Sequence, residues 1–285
     1  MDSNSKALNL RHHQQNIKLI EQGIRLMQKD IKLSYIQEQQ IVDESPANWM
    51  IQREMIKQNR TIYVRILSGL IVSWSEQLLK RLILEAGAFK PEQVDKFHQL
   101  QNARQKWTTI FKLAFCNSYL PYDTADPLFT NTREPENITS IRRSARDKYV
   151  SVLRVINEEI FPVIDLRNKV QHGEWKIAFD QPHSINRDTN LTAQVNRQNI
   201  RTLQTLIHDI QAIYKMIKDV ATFRGGPFNL SSRDTPFEYF YDKNFERIES
   251  NKRNLATYPE SHYRNEIVQR NLRGKAWRNL NAGNR

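Results

Sequence analysis

The chain has 285 residues, and its lysines and arginines outnumber aspartates and glutamates 43 to 31, for a formal net charge of +12. A single cysteine excludes an intramolecular disulfide and a cysteine-rich zinc site, and it fits a reducing, cytoplasmic setting. No apolar stretch is long enough to span a bilayer, the opening MDSNSKALNLRHHQQ lacks the apolar core of a signal peptide, and the basic excess favours a polyanionic partner, most simply nucleic acid.

Apolar residues recur at spacings of three and four through most of the chain, the signature of helix. Leu8 to about Val42 reads as one helix, with Ile17, Ile20, Ile24, Leu26 and Met27 as its apolar stripe. Ser45-Pro46 is a helix start, a capping residue followed by proline in the first turn. The next stripe runs through Trp49, Ile56, Val64, Leu67, Ile71, Trp74, Leu78 and Leu82 to a stop at Gly87. Pro91-Glu92 opens a third helix that is expected to continue through Phe97, Leu100, Trp107, Ile110 and Phe111. Cys116 lies in an apolar run and reads as a small packed side chain.

A proline-punctuated loop, Asn117 to Asn137, precedes a long helix from about Thr139 toward Arg167. Pro162 is expected to kink or break that helix, because proline removes a donor and crowds the preceding turn. Trp175, Ile177 and Phe179 alternate with other residues in a brief extended piece, and Asp180 to Thr192 reads as a loop. A last core helix is expected from about Ala193 to Phe223, ended by Arg224-Gly225-Gly226-Pro227. Beyond it lie an aromatic cluster, Phe237 to Phe245, suited to docking on the core, and a basic end. The segments are thus 1–44, an N-terminal helical extension; 45–223, the helical domain; and 224–285, a basic aromatic extension.

Phosphate-loop, dinucleotide and H-E-x-x-H signatures are absent, so neither a cofactor nor a metal is expected. Adjacent His12 and His13 point about 100° apart on a helix and read as surface residues. What remains is Leu166-Arg167-Asn168-Lys169-Val170-Gln171-His172-Gly173. Arginine grips phosphate through two parallel donors, and histidine moves protons near neutral pH. Asn168 and His172 share a helix face at a spacing of four, whereas Arg167 lies about 140° from His172. A symmetry mate that brings its own copy opposite would supply the missing convergence. Arg201 and His208 form a looser rival, read as structural.

Arg167-Asn168-x-x-x-His172 resembles the R-[N/H/D]-x(3–5)-H motif of the HEPN superfamily, within a helical framework covering about Ser45 to Phe223. The resemblance implies an all-α antiparallel helical bundle with an N-terminal helix and a basic C-terminal extension. It also implies a metal-independent endoribonuclease in a toxin or antiphage-defence setting, active as a homodimer joined across the motif-bearing helices. Arg167 would neutralise the scissile phosphate, His172 would act as general base or acid, and Asn168 would position the phosphate or the histidine. Glu76, from an earlier helix, is the candidate for an additional polar residue. RNA would be held by Lys169 and by Arg264, Arg270, Arg273, Lys275 and Arg278 of the basic end. The resemblance further implies an antitoxin or defence-system partner protein. The other reading is a non-catalytic helical module that binds RNA or protein.

Overall fold

A computed structural model of the chain describes residues 3–41, 46–85, 88–121, 126, 128–130, 133–171, 188–222 and 236–282. Among the described residues there is no strand, and the chain is all-α. The helices are α1 (Ser3–Gln40), α2 (Pro46–Leu84), α3 (Pro91–Gln99), α4 (Ala103–Tyr119), α5 (Arg143–Val155), α6 (Phe161–Gln171), α7 (Thr189–Arg197), α8 (Ile200–Thr222), α9 (Pro236–Thr257) and α10 (Glu260–Ala282). No described helix is long and apolar enough to cross a membrane.

Two helices expected to be continuous are each split by an asparagine cap. The third predicted helix ends at Gln99, and Asn102 starts α4 by accepting the Arg104 amide at 2.8 Å. The last predicted core helix is divided between α7 and α8, where the Asn199 side chain accepts the amides of Arg201 and Thr202 at 2.9 and 3.0 Å. Thr202 Oγ1 returns the favour by accepting the Asn199 amide at 3.0 Å, which completes a reciprocal box. α7 also begins inside the expected loop, because the Asp188 carboxylate caps it through the Leu191 amide at 2.8 Å. In each case a short polar side chain outbids the helix interior for the backbone donors.

Pro162 neither breaks nor ends the helix. A single π turn over Ile156–Ile160 precedes it, and the Phe161 amide bonds back to the Ile156 carbonyl five residues earlier. That widened turn removes the need for the proline's absent donor, so α5 runs through to α6. The helix begins at Arg143 rather than near Thr139. The extended piece expected at Trp175 to Phe179 and the terminator Arg224 to Pro227 lie outside the described residues.

Compactness groups the chain into two units that are discontinuous in sequence. The first comprises Met1–Ile20, Val72–Asp165 and Leu206–Asn251; the second comprises Glu21–Ile71, Leu166–Thr205 and Lys252–Arg285.

The first unit is organised around rings. Phe111 stacks on Tyr149 with centroids 4.7 Å apart, Phe115 lies 4.7 Å from Tyr149, and Phe237 meets both phenylalanines edge-on. These side chains are buried, and they join α4, α5 and α9. Glu238 locks the same joint: Arg142 and Ser144 donate to its carboxylate at 2.6 and 3.2 Å, and Lys148 donates to its carbonyl at 2.8 Å. The start of the aromatic cluster is therefore core, although Tyr239 remains 62% exposed. Cys116 is fully buried beside these rings, and burial pushes its thiol up to about 12.

In the second unit Val64, Leu67 and Ile71 form the buried face of α2, and Ile24, Ile31 and Tyr35 that of α1. Gly23 faces Leu70, and a β-carbon there would come within 3.3 Å of its Cδ1. Arg65 Nη1 donates to Gln198 Oε1 at 3.1 Å and Gln198 Nε2 donates to Ser68 Oγ at 3.2 Å, tying α2 to the α7–α8 junction.

Replacing Asn199 with alanine removes the acceptor for two amides and is expected to cost about 1 kcal/mol. Urea denaturation should show a lower midpoint with an unchanged slope, and Asn199→Asp should recover most of the loss. A midpoint equal to wild type in Asn199→Ala would show that the cap does not hold the start of α8.

Candidate active site

Within the second unit Leu166 and Val170, four residues apart, are the buried anchors of the end of α6. Asn168, about 200° around the helix from Leu166, is consequently exposed, while Arg167 and Lys169 are half-buried. Arg167 Nη1 donates to Asn168 Oδ1 at 3.0 Å. That contact presents the guanidinium and the amide as one polar group on the last turn of α6. The helix ends at Gln171, and His172 and Gly173 lie outside the described residues. The last carbonyls of a helix carry partial negative charge, which suits a cation in this turn. Glu76 is half-buried on α2 and belongs to the first unit.

The rival pair separates by environment. Arg201 lies over two rings, its guanidinium carbon 5.3 Å from the Tyr258 centroid and 5.4 Å from that of Tyr263. It is a packed cation, while His208 is exposed. His13, expected at the surface, is half-buried, and its Nδ1 lies 2.8 Å from Gln77 Oε1. His98 is held below its ordinary value by burial and, next, by the charge of His13. Among the described residues no group of three or more His, Cys, Asp or Glu side chains could hold a metal ion.

The basic end is two different things. Arg273 and Lys275 are exposed, and the side chain of Arg278 lies outside the described residues. Arg270 pairs with Glu266, which also accepts from Tyr258. Arg264 is committed inward: its Nη2 lies 3.2 Å from Glu38 Oε1. Glu38, with 1% of its side chain exposed, also receives Arg60 Nη1 at 2.7 Å and Arg53 Nε at 3.2 Å. One turn earlier, Tyr35 donates to Glu260 at the start of α10 and carries Arg60 4.6 Å above its ring. α10 is therefore a structural partner of α1 and α2, not an appendage. Trimming the chain after Asn254 would remove Glu260 and Arg264, and with them the support of Tyr35 and Glu38.

The sequence reading missed Glu38, though a signal existed. Ile17, Ile24 and Ile31 are buried at intervals of seven, and Glu38 occupies the next position in the series. Leu26, assigned to the buried stripe, is instead 56% exposed. A carboxylate on the core register of a helix needs cations, and arginines from α2 and α10 provide them.

Burial alone would raise the Glu38 carboxyl, but the hydrogen bond and charge of Arg60, then Arg53 and Arg264, outweigh it and hold the group below its usual value. A carboxylate depressed in the folded state adds stability above its unfolded pKa, and that stability is lost as pH falls through the folded pKa. Glu38→Gln should therefore cost about 2 kcal/mol at pH 7, less than a fully buried pair because the arginines reach solvent. The deficit relative to wild type should shrink as pH drops below about 4, the ordinary carboxylate range. A deficit unchanged between pH 7 and 3 in urea titrations would contradict this. No protein-family model matches the chain, and neither does any curated protein or solved structure.

Proposed function

We propose that the chain is a metal-independent endoribonuclease of the HEPN type that works in a toxin or antiphage-defence setting. The observation that carries the reading is the sequence run Arg167-Asn168-x-x-x-His172, in which the Arg167 guanidinium donates to exposed Asn168 near the end of α6. The all-helical architecture and the net charge of +12 are consistent with it. RNA is the substrate, and exposed Arg273 and Lys275 would hold its backbone, with Lys169 beside the motif.

In this reading the ribose 2′-oxygen attacks its own 3′-phosphate. The imidazole of one His172 takes the 2′-OH proton while the imidazolium of the second copy's His172 gives a proton to the departing 5′-oxygen, or water fills one of the two roles. The bond to the 5′-oxygen breaks, leaving a 2′,3′-cyclic phosphate and a 5′-hydroxyl. Arg167 offsets the charge that gathers on the crowded phosphorus oxygens, and Asn168 orients the guanidinium. Two chains pair so that two copies of the motif line one cleft, as the family resemblance implies. An antitoxin or defence-system protein would hold the pair silent until needed.

Purified protein incubated with tRNA and total RNA in EDTA should cleave, and end-group analysis should find cyclic phosphates and 5′-hydroxyls. Arg167→Ala should remove an effect on the order of several kcal/mol, as for a lost transition-state donor. His172→Ala should cost roughly 100- to 10,000-fold. His208→Ala, an exposed histidine outside the motif, should cut at the wild-type rate. If folded His172→Ala cut normally and free of contaminating nuclease, the enzyme reading would fall, and a non-catalytic RNA-binding module would replace it.

A further inference from the structure

Phe237, Glu238 and Tyr241 turn one face of α9 toward α4 and α5, and a neighbouring face borders a groove against α8. Phe240, Lys243, Asn244, Arg247, Ser250 and Asn251, at spacings of three and four, line its α9 side, and Lys215 lines it from α8. The groove lies wholly within the first unit. Two contacts join the helices along it: Asn251 Nδ2 donates to Asp209 Oδ1 at 2.7 Å, and Lys215 Nζ sits 4.8 Å over the Phe240 ring. Its volume of about 490 Å³ is in the range of sites that take small molecules. The fold leaves several of its polar groups unused. Lys243 and Arg247 are exposed, one turn apart, and neither forms an ion pair among the described residues. Asn244 beside them is only 6% exposed, and its Nδ2 has no hydrogen-bond partner. A buried amide donor with no acceptor is uncommon and unfavourable, which marks a group waiting for something the chain does not supply. Glu246 at the rim, about 100° around the helix from Arg247, and Asp219, 3.3 Å from Lys215, offset part of the positive charge.

We propose that the α8–α9 groove is a binding site for a small organic phosphate, with the phosphoryl group held by Lys243, Arg247 and the Asn244 amide and the organic body laid against Phe240. The donor set selects the ligand. An ammonium, a guanidinium and a carboxamide come from three different side chains, and a phosphoryl group has three terminal oxygens to answer them, where a carboxylate has two. Two unpaired cations match the charge of a phosphate monoester, and the guanidinium can engage two of its oxygens in parallel. The Asn244 donor, shielded from water, fixes the third oxygen and gains the acceptor it lacks. A bare tetrahedral ion would leave most of the groove empty. The Phe240 ring and the aliphatic stems of Lys243 and Arg247 supply the apolar surface that an organic body would cover. The site is distinct from Arg167, which belongs to the second unit, and it stands whether or not the chain cuts RNA.

Phenyl phosphate carries both halves of such a ligand, a ring and a dianionic phosphoryl group. Calorimetric titration of the full chain at about 0.15 M salt should give saturable one-to-one binding with a dissociation constant below about 1 mM. Inorganic phosphate should bind more weakly, and phenol should not bind. Lys243→Gln and Arg247→Gln should each weaken phenyl phosphate about tenfold, the loss of one charge-assisted hydrogen bond. Both side chains are exposed, so the helical circular dichroism of these variants should match wild type. Arg143→Gln removes a cation whose side chain is 88% exposed on α5 of the same unit, and it should bind as wild type does. Asn244→Leu should weaken binding without lowering the melting midpoint of the free protein, because its Nδ2 holds no partner to lose. Absence of saturable binding would overturn the proposal, as would equal losses in Arg143→Gln and Arg247→Gln. Equal affinity for inorganic phosphate and phenyl phosphate would remove the organic body from it. A single-stranded oligoribonucleotide that binds through Lys243 and Arg247 while phenyl phosphate does not would also overturn it and give the groove to RNA. None of these outcomes touches the ribonuclease reading, whose Arg167 and His172 take no part in the titration.

Discussion

A carboxylate removed from water must be answered by charge, and in the second unit that demand falls on Glu38. It occupies a core position of α1, so neither helix amphipathicity nor apolar packing can satisfy it. Arg53 and Arg60 come from α2 and Arg264 from α10, so one buried oxygen pair recruits three stretches of chain. Tyr35 and Glu260 repeat the junction one turn away. Removing any one cation would leave the others overcommitted, whereas removing the carboxylate would leave several cations facing one another. That asymmetry makes the cluster a determinant of which helices meet.

The same cluster changes how the chain's basicity is understood. A net charge of +12 suggests a surface made for polyanions. Yet Arg264 and Arg60 are spent on Glu38, and Arg201 rests on two tyrosine rings. Part of the excess is internal wiring. The cations with the freedom to meet a phosphate backbone are fewer than the count implies, and Arg273 and Lys275 on α10 are among them.

The all-helical class was legible because period-3.6 patterns fill the chain, and α2 was legible in detail since its inward row, Val64 to Leu82, never loses step. Where reading failed, a local polar competitor had won. Asn102 and Asn199 sit inside otherwise continuous apolar patterns, and a periodicity test passes over them because one capping residue barely disturbs the count. Pro162 does not break the helix: a π turn precedes it, and nothing in the residues Ile156–Ile160 announces the extra residue per turn. Glu38 was hidden by treating charge as surface. At the candidate site, Arg167 and Asn168 were legible as a motif, and their mutual hydrogen bond is the part that required coordinates.

The proposed chemistry directs a ribose hydroxyl at its own phosphate, and its most direct test lies in the substrate. Once one cleavage position has been mapped, an oligoribonucleotide carrying a single 2′-deoxy residue immediately 5′ of that phosphate isolates the nucleophile. The account predicts that this oligonucleotide stays whole at that position while its all-ribose twin is cut, with equal binding of both. Cleavage of the deoxy-substituted bond at the same rate would mean that the attacking oxygen comes from elsewhere, and the mechanism built on Arg167 and His172 would be contradicted.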